Sequence, residues 1–106
     1  MSDWMEEKYP RWFVSEDYSP SGRPKLETEL VEYAKERFLY RIVDDEDLDQ
    51  LELILADKQE RIFAANRRLK KVRIQLSRAQ TYSGKTFCWL YIGDSHLTLT
   101  KVKGEV

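Results

Sequence analysis

The chain has 106 residues, 42% hydrophobic and 35% charged, with three Trp, six Tyr, four Phe and a formal net charge of −1. That much apolar material excludes a disordered chain, and the length suits one domain burying roughly two-thirds of its unfolded surface. One Cys and one His exclude an internal disulfide and a dedicated His/Cys zinc site, and no run approaches the ~18 apolar residues of a membrane span.

The near-zero net charge conceals a division. Met1 to Glu60 holds 17 acidic and 8 basic residues, a net of −9, whereas Arg61 to Val106 holds 10 basic and 2 acidic, a net of +8. Such asymmetry points to a polyanion-binding surface or to a polarised surface for a protein partner. Mutual neutralisation within the fold or across a dimer accounts for it equally well.

Residues 1–23 read as an irregular, aromatic-rich N-terminal arm preceding a single α+β domain over 24–106. Pro10, Pro20 and Gly22 punctuate it, and Trp12 and Phe13 are its candidate partner-binding residues. The N-terminus has neither the basic region nor the apolar run of a secretory signal, so a cytoplasmic location is expected.

Pro24 suits a first helical turn, and Leu26, Leu30, Tyr33, Ala34 and Phe38 keep helical spacing, predicting a helix over 25–42. Asp44-Asp45-Glu46-Asp47 then opens a second helix, where acidic side chains face the positive end of the helix dipole. Leu48, Leu55, Ile62, Leu69 and Leu76 recur every seven residues, and no Gly or Pro intervenes before Gly84. The pattern predicts one long helix of about 45–79, with those five residues as an oligomerisation seam of coiled-coil type and a homodimer as its consequence. The competing reading breaks this helix near 66 and places an extra strand over 71–77, because Val72, Ile74 and Leu76 alternate strictly with polar residues.

Two β-rich runs flanking Gly93-Asp94-Ser95 predict a C-terminal antiparallel hairpin over 86–103. Phe87, Trp89 and Tyr91 fall on one of its faces and Cys88, Leu90 and Ile92 on the other.

Catalytic motifs are missing: there is no phosphate-binding loop and no dinucleotide fingerprint. The acidic run lacks the spacing of a calcium loop, so no metal, cofactor or small-molecule substrate is expected. The reading is a non-enzymatic adaptor, regulator or inhibitor acting through protein–protein contacts. Its candidate contact residues are Trp12, Phe13, Asp44, Asp45, Asp47, Asp94 and His96. The alternative is a small nucleic-acid-binding protein. There Arg67, Arg68, Lys70, Lys71, Arg73 and Arg78 would neutralise phosphates, and Trp89 and Tyr91 would stack on bases. The pI near 5.9 counts against that alternative.

Overall fold

Alternation of apolar side chains builds the molecule outward from its C-terminal hairpin. The computed structural model describes residues 10–102. In chain order the elements are β1 (Arg11–Tyr18), α1 (Lys25–Phe38), β2 (Ile42–Asp44), a 3₁₀ turn (Asp45–Asp47) and α2 (Leu48–Ala65). Then come β3 (Ile74–Leu76), β4 (Gln80–Tyr82), β5 (Lys85–Ile92) and β6 (Ser95–Val102). The fold is α+β. One antiparallel sheet runs in the order β2-β1-β6-β5-β3, and β4 continues the β3 edge alongside β5.

The expected hairpin is β5–β6, with Ile92 paired to Ser95 across a two-residue Gly93-Asp94 turn. Gly93 has φ 61° and Asp94 has no positive φ, the signature of a type II′ turn. Gly93 is also hemmed in by α1, where a Cβ would collide with the Glu27 carboxylate. A second hairpin, β4–β5, turns through Ser83 (φ 50°) and Gly84 (φ 78°), both left-handed as a type I′ turn requires.

Strand β1 corrects the expectation of an irregular arm in its described part. Trp12 and Val14 point into the core, and β1 lies inside the sheet between β2 and β6. The alternation is hard to read because the register slips between Val14 and Glu16, a bulge that ends the pattern after two inward residues. Residues 1–9 of the expected arm, and residue 103 of the expected hairpin, lie outside the described residues.

Helix α1 stops at Phe38, four residues before its expected end. Tyr40 adopts a left-handed conformation (φ 64°) and donates its amide to Val14 O at 2.7 Å, which directs the chain into β2. A bulky residue in that region costs about 1–2 kcal/mol.

The long helix is also corrected, since α2 ends at Ala65. Asn66 takes extended geometry (φ −146°, ψ 92°) and accepts the amide of Arg68 on its side chain at 3.2 Å. At 18 residues α2 spans about 27 Å rather than the ~50 Å of the expected rod. Magnitudes explain the outcome. Cations near a helix C-terminus contribute about 0.3–1 kcal/mol. Packing Val72, Ile74 and Leu76 against the core contributes more, since full burial of each such side chain is worth roughly 1.5–3 kcal/mol.

Side chains of α2 then hold the new edge in place. Gln59 Oε1 accepts the Val72 amide at 2.8 Å, and Glu52 Oε2 accepts the Leu76 amide at 2.6 Å. Between β3 and β4 the chain stays knitted to β5: the Ser77 amide donates to Trp89 O at 2.8 Å, and Ser77 Oγ accepts the Trp89 amide at 2.9 Å.

Both helices cover one sheet face. Leu26, Leu30, Val31, Ala34 and Phe38 of α1 and Leu51 and Leu55 of α2 close over Trp12, Val14, Cys88, Leu90, Ile92, Leu97 and Leu99. Replacing Leu55, which is fully buried, with Ala should therefore cost about 2–5 kcal/mol in chemical denaturation. Replacing Leu53 with Ala, two residues away and exposed, should change stability by about 0.5 kcal/mol or less. Equal losses at the two positions would contradict this burial pattern.

Candidate functional site

Side chains alternate along a strand, so the face opposite the helices carries every second residue. Registers align these residues into rows across the sheet. One row reads Ile42, Phe13, Thr100, Phe87, Gln80; the next Glu16, Thr98, Trp89; the third Tyr18, His96, Tyr91, Gln75. The core residues of α1 and α2 pack on the other face.

The rings of this layer gather in three groups. Phe87 stacks on Trp89 with centroids 6.2 Å apart, Tyr82 approaches Phe87 at 6.4 Å, and Phe13 lies 6.5 Å from Tyr40. His96 sits between Tyr18 at 5.3 Å and Tyr91 at 5.6 Å. Ring pairs at these separations contribute about 0.5–1.5 kcal/mol beyond their area. Five large hydrophobics are exposed among the described residues: Tyr18 (55%), Tyr40 (68%), Ile42 (51%), Tyr82 (55%) and Leu53 (59%). The first four stand on this face or at its rim, and only Leu53 does not.

The expected contact residues divide. Trp12 is not available: it is buried in the core and donates Nε1–H to Asp45 Oδ1 at 3.1 Å. Phe13 and His96 stand half-buried on the open face. Asp44, Asp45 and Asp47 are exposed at the β2 edge, in the residues leading into α2. Asp94 is exposed at the hairpin tip, its amide donated to Glu27 Oε1 at 3.3 Å. Glu27 itself is buried and also accepts the Ser95 hydroxyl at 2.7 Å, so α1 pins that tip.

The basic cluster divides too. Lys71 pairs with Glu60 at 2.7 Å and lies 4.6 Å from the Phe63 ring, and Arg67 is 5.9 Å from the same ring, so both belong to the end of α2. Arg68, Lys70 and Arg78 are exposed. Only Arg73 joins the aromatic layer, its guanidinium 5.5 Å over Tyr91. Trp89 and Tyr91 stand on the open face as the alternation implied.

The heptad residues serve this chain's own core. Leu55 is fully buried, Leu48 and Ile62 pack against the core from α2, and Leu69 and Leu76 do so from beyond its end. No helical seam joins the five. Tyr18, Tyr40, Ile42 and Tyr82 escaped the sequence reading because their placement depends on the β1 bulge, the left-handed turn at Tyr40 and the β4 edge.

Burial, reinforced by the Asp45 charge, pushes the Cys88 thiol up to about 12, so the thiol stays protonated at neutral pH. Among the described residues, no three of His, Cys, Asp and Glu gather as metal ligands, and no helix is long and apolar enough to cross a membrane. The chain matches no known protein family, no curated protein and no solved structure.

Burial among the rings lowers the His96 pKa from its ordinary value, and the Glu16 carboxylate partly opposes that shift. The unfolded chain therefore takes up this proton at a higher pH than the folded one. Stability linked to His96 is present above the ordinary histidine range and falls as pH drops below about 6.5. NMR titration should give a His96 midpoint below 6.5, and Glu16→Gln should move it lower still. A midpoint at or above the ordinary value would contradict burial of His96 in the aromatic layer.

Proposed function

We propose that this protein is a non-enzymatic binding protein, an adaptor, regulator or inhibitor, that docks another protein on the open face of its sheet. The observation that carries the reading is the concentration of exposed tyrosines and Ile42 on one aromatic face, with the helices on the other side of the sheet. Exposed apolar patches of this kind mark interaction sites, and Tyr and Trp are the residues most often responsible for binding energy there. The charges interspersed on the face are mixed. By alternation Arg11, Lys85 and Arg73 stand against Asp44 and Glu16, which suits a protein surface better than a uniformly charged polymer.

A second reading rests on Arg73 over Tyr91 beside Trp89. A cation and stacked rings are the elements with which single-stranded nucleic acid is held. It is weaker because Arg67 and Lys71 engage Phe63 at the end of α2 instead.

One comparison separates the readings. The wild type and a Trp89→Ala/Tyr91→Ala variant are used as baits in a native lysate, and both are titrated with random single-stranded oligonucleotides at two salt concentrations. Proteins retained by the wild type and lost from the variant, with unchanged circular dichroism, are the expected result. Steeply salt-dependent oligonucleotide binding lost in the same variant would move the function to nucleic acid. Retention of the same proteins by both baits would remove the open face from the mechanism.

A further inference from the structure

Building on the protein-docking reading of the open face, we infer that the face is the interface for a second copy of this chain, related by a two-fold axis running along β6. The argument begins with two corners of opposite charge. At one sheet edge, β2 and the turn after it expose Asp44, Asp45, Glu46 and Asp47. At the other edge, Arg78 and Lys85 are exposed around β4.

Both corners lie at the same end of the strands. Strand β2 pairs with Arg11 to Phe13 and β4 with Lys85 to Phe87, while Phe13 and Phe87 both stand opposite Thr100. Four strand spacings of ~4.8 Å separate them, about 19 Å. A two-fold axis along the strands turns left into right but leaves each end of the strands where it was. Face-to-face pairing therefore sets the acidic corner of each copy on the basic corner of the other, twice. An axis across the strands would instead set each corner against the far end of its own edge, away from the opposite charge.

The same operation lays β1 of one copy over β5 of its partner, so that Phe13 and Tyr18 cover Phe87 and Tyr91 with aromatic surface. Two sheets packed in this way stand about 10 Å apart, with side chains interdigitated between them. A net charge of −1 leaves no long-range repulsion between copies.

The size of the face sets the strength. About 19 Å of width and roughly 25 Å of strand length give a projected area of about 500 Å² per copy, near 1,000 Å² in total, at the lower limit of specific interfaces. The dimer is therefore concentration-dependent rather than obligate, and it differs in kind from the helical seam expected from the heptads.

Sedimentation equilibrium on the full chain, from micromolar to millimolar concentration, tests this. A concentration-dependent dimer that weakens with salt is expected. Asp44→Lys/Asp47→Lys and Arg78→Asp/Lys85→Asp should each weaken self-association by roughly tenfold or more, because like charges then face each other at both corners. Mixing the two variants should restore a heterodimer of wild-type strength, since every corner again meets its opposite. The four positions are exposed, and circular dichroism verifies that the variants are folded. A wild type that stays monomeric, or a mixture that does not recover, overturns the inference. A monomer that still retains lysate proteins through Trp89 and Tyr91 would leave the docking reading intact, whereas a monomer that retains none would remove both.

Discussion

Val14, Leu99 and Cys88 stand side by side across β1, β6 and β5, and all three are shut away from water among the leucines of α1 and α2. This burial of one sheet face is the constraint on which the rest depends. It draws β1 into the sheet, and it takes the helical leucines that would otherwise need a partner. With roughly 1.5–3 kcal/mol available for each fully buried side chain, the inner face outweighs local preferences such as a helix dipole or an unstrained Tyr40. Two short helices cover one side of a sheet five strands wide, so the aromatic residues on alternate positions are turned to the other side.

The connections are fastened by carboxylate and amide side chains reaching from the helices to the backbone. Glu27 holds the β5–β6 turn through Ser95 Oγ and the Asp94 amide, and the lack of a side chain at Gly93 makes room for it. Gln59 and Glu52 satisfy amides along the β3 edge, which also keeps that edge from offering those donors to another strand. Glu52 and Gln59 on the polar side of α2 are thus structural.

The division of charge along the chain takes on a spatial meaning. The expected long helix does not form, but the sheet carries acid at its β2 edge and base at its β3–β4 edge, with aromatic rings between them. Among the described residues, the ion pairs Asp57–Arg61 and Glu60–Lys71 join the two halves of the sequence, while Asp44 to Asp47 at one edge and Arg78 and Lys85 at the other remain exposed. Neutralisation inside the fold is therefore partial.

By itself the sequence determined the elements whose signals are local. The β5–β6 hairpin follows from alternation and a Gly at its turn, α1 from its apolar spacing, and the separation of Phe87, Trp89 and Tyr91 from Cys88, Leu90 and Ile92 from the two-residue period of a strand. Tertiary structure alone decided the other elements. Between 66 and 79 a heptad and a strand pattern coexist in the same residues, and only the vacant edge of β5 selects the strand. Strand β1 is hidden by a bulge that interrupts its alternation, and Trp12, which resembles a docking residue in sequence, is core because β6 lies beside it. Which rings face water depends on what covers each side of the sheet, and that is set by contacts between residues as far apart as Val14 and Leu99 rather than by neighbours along the chain.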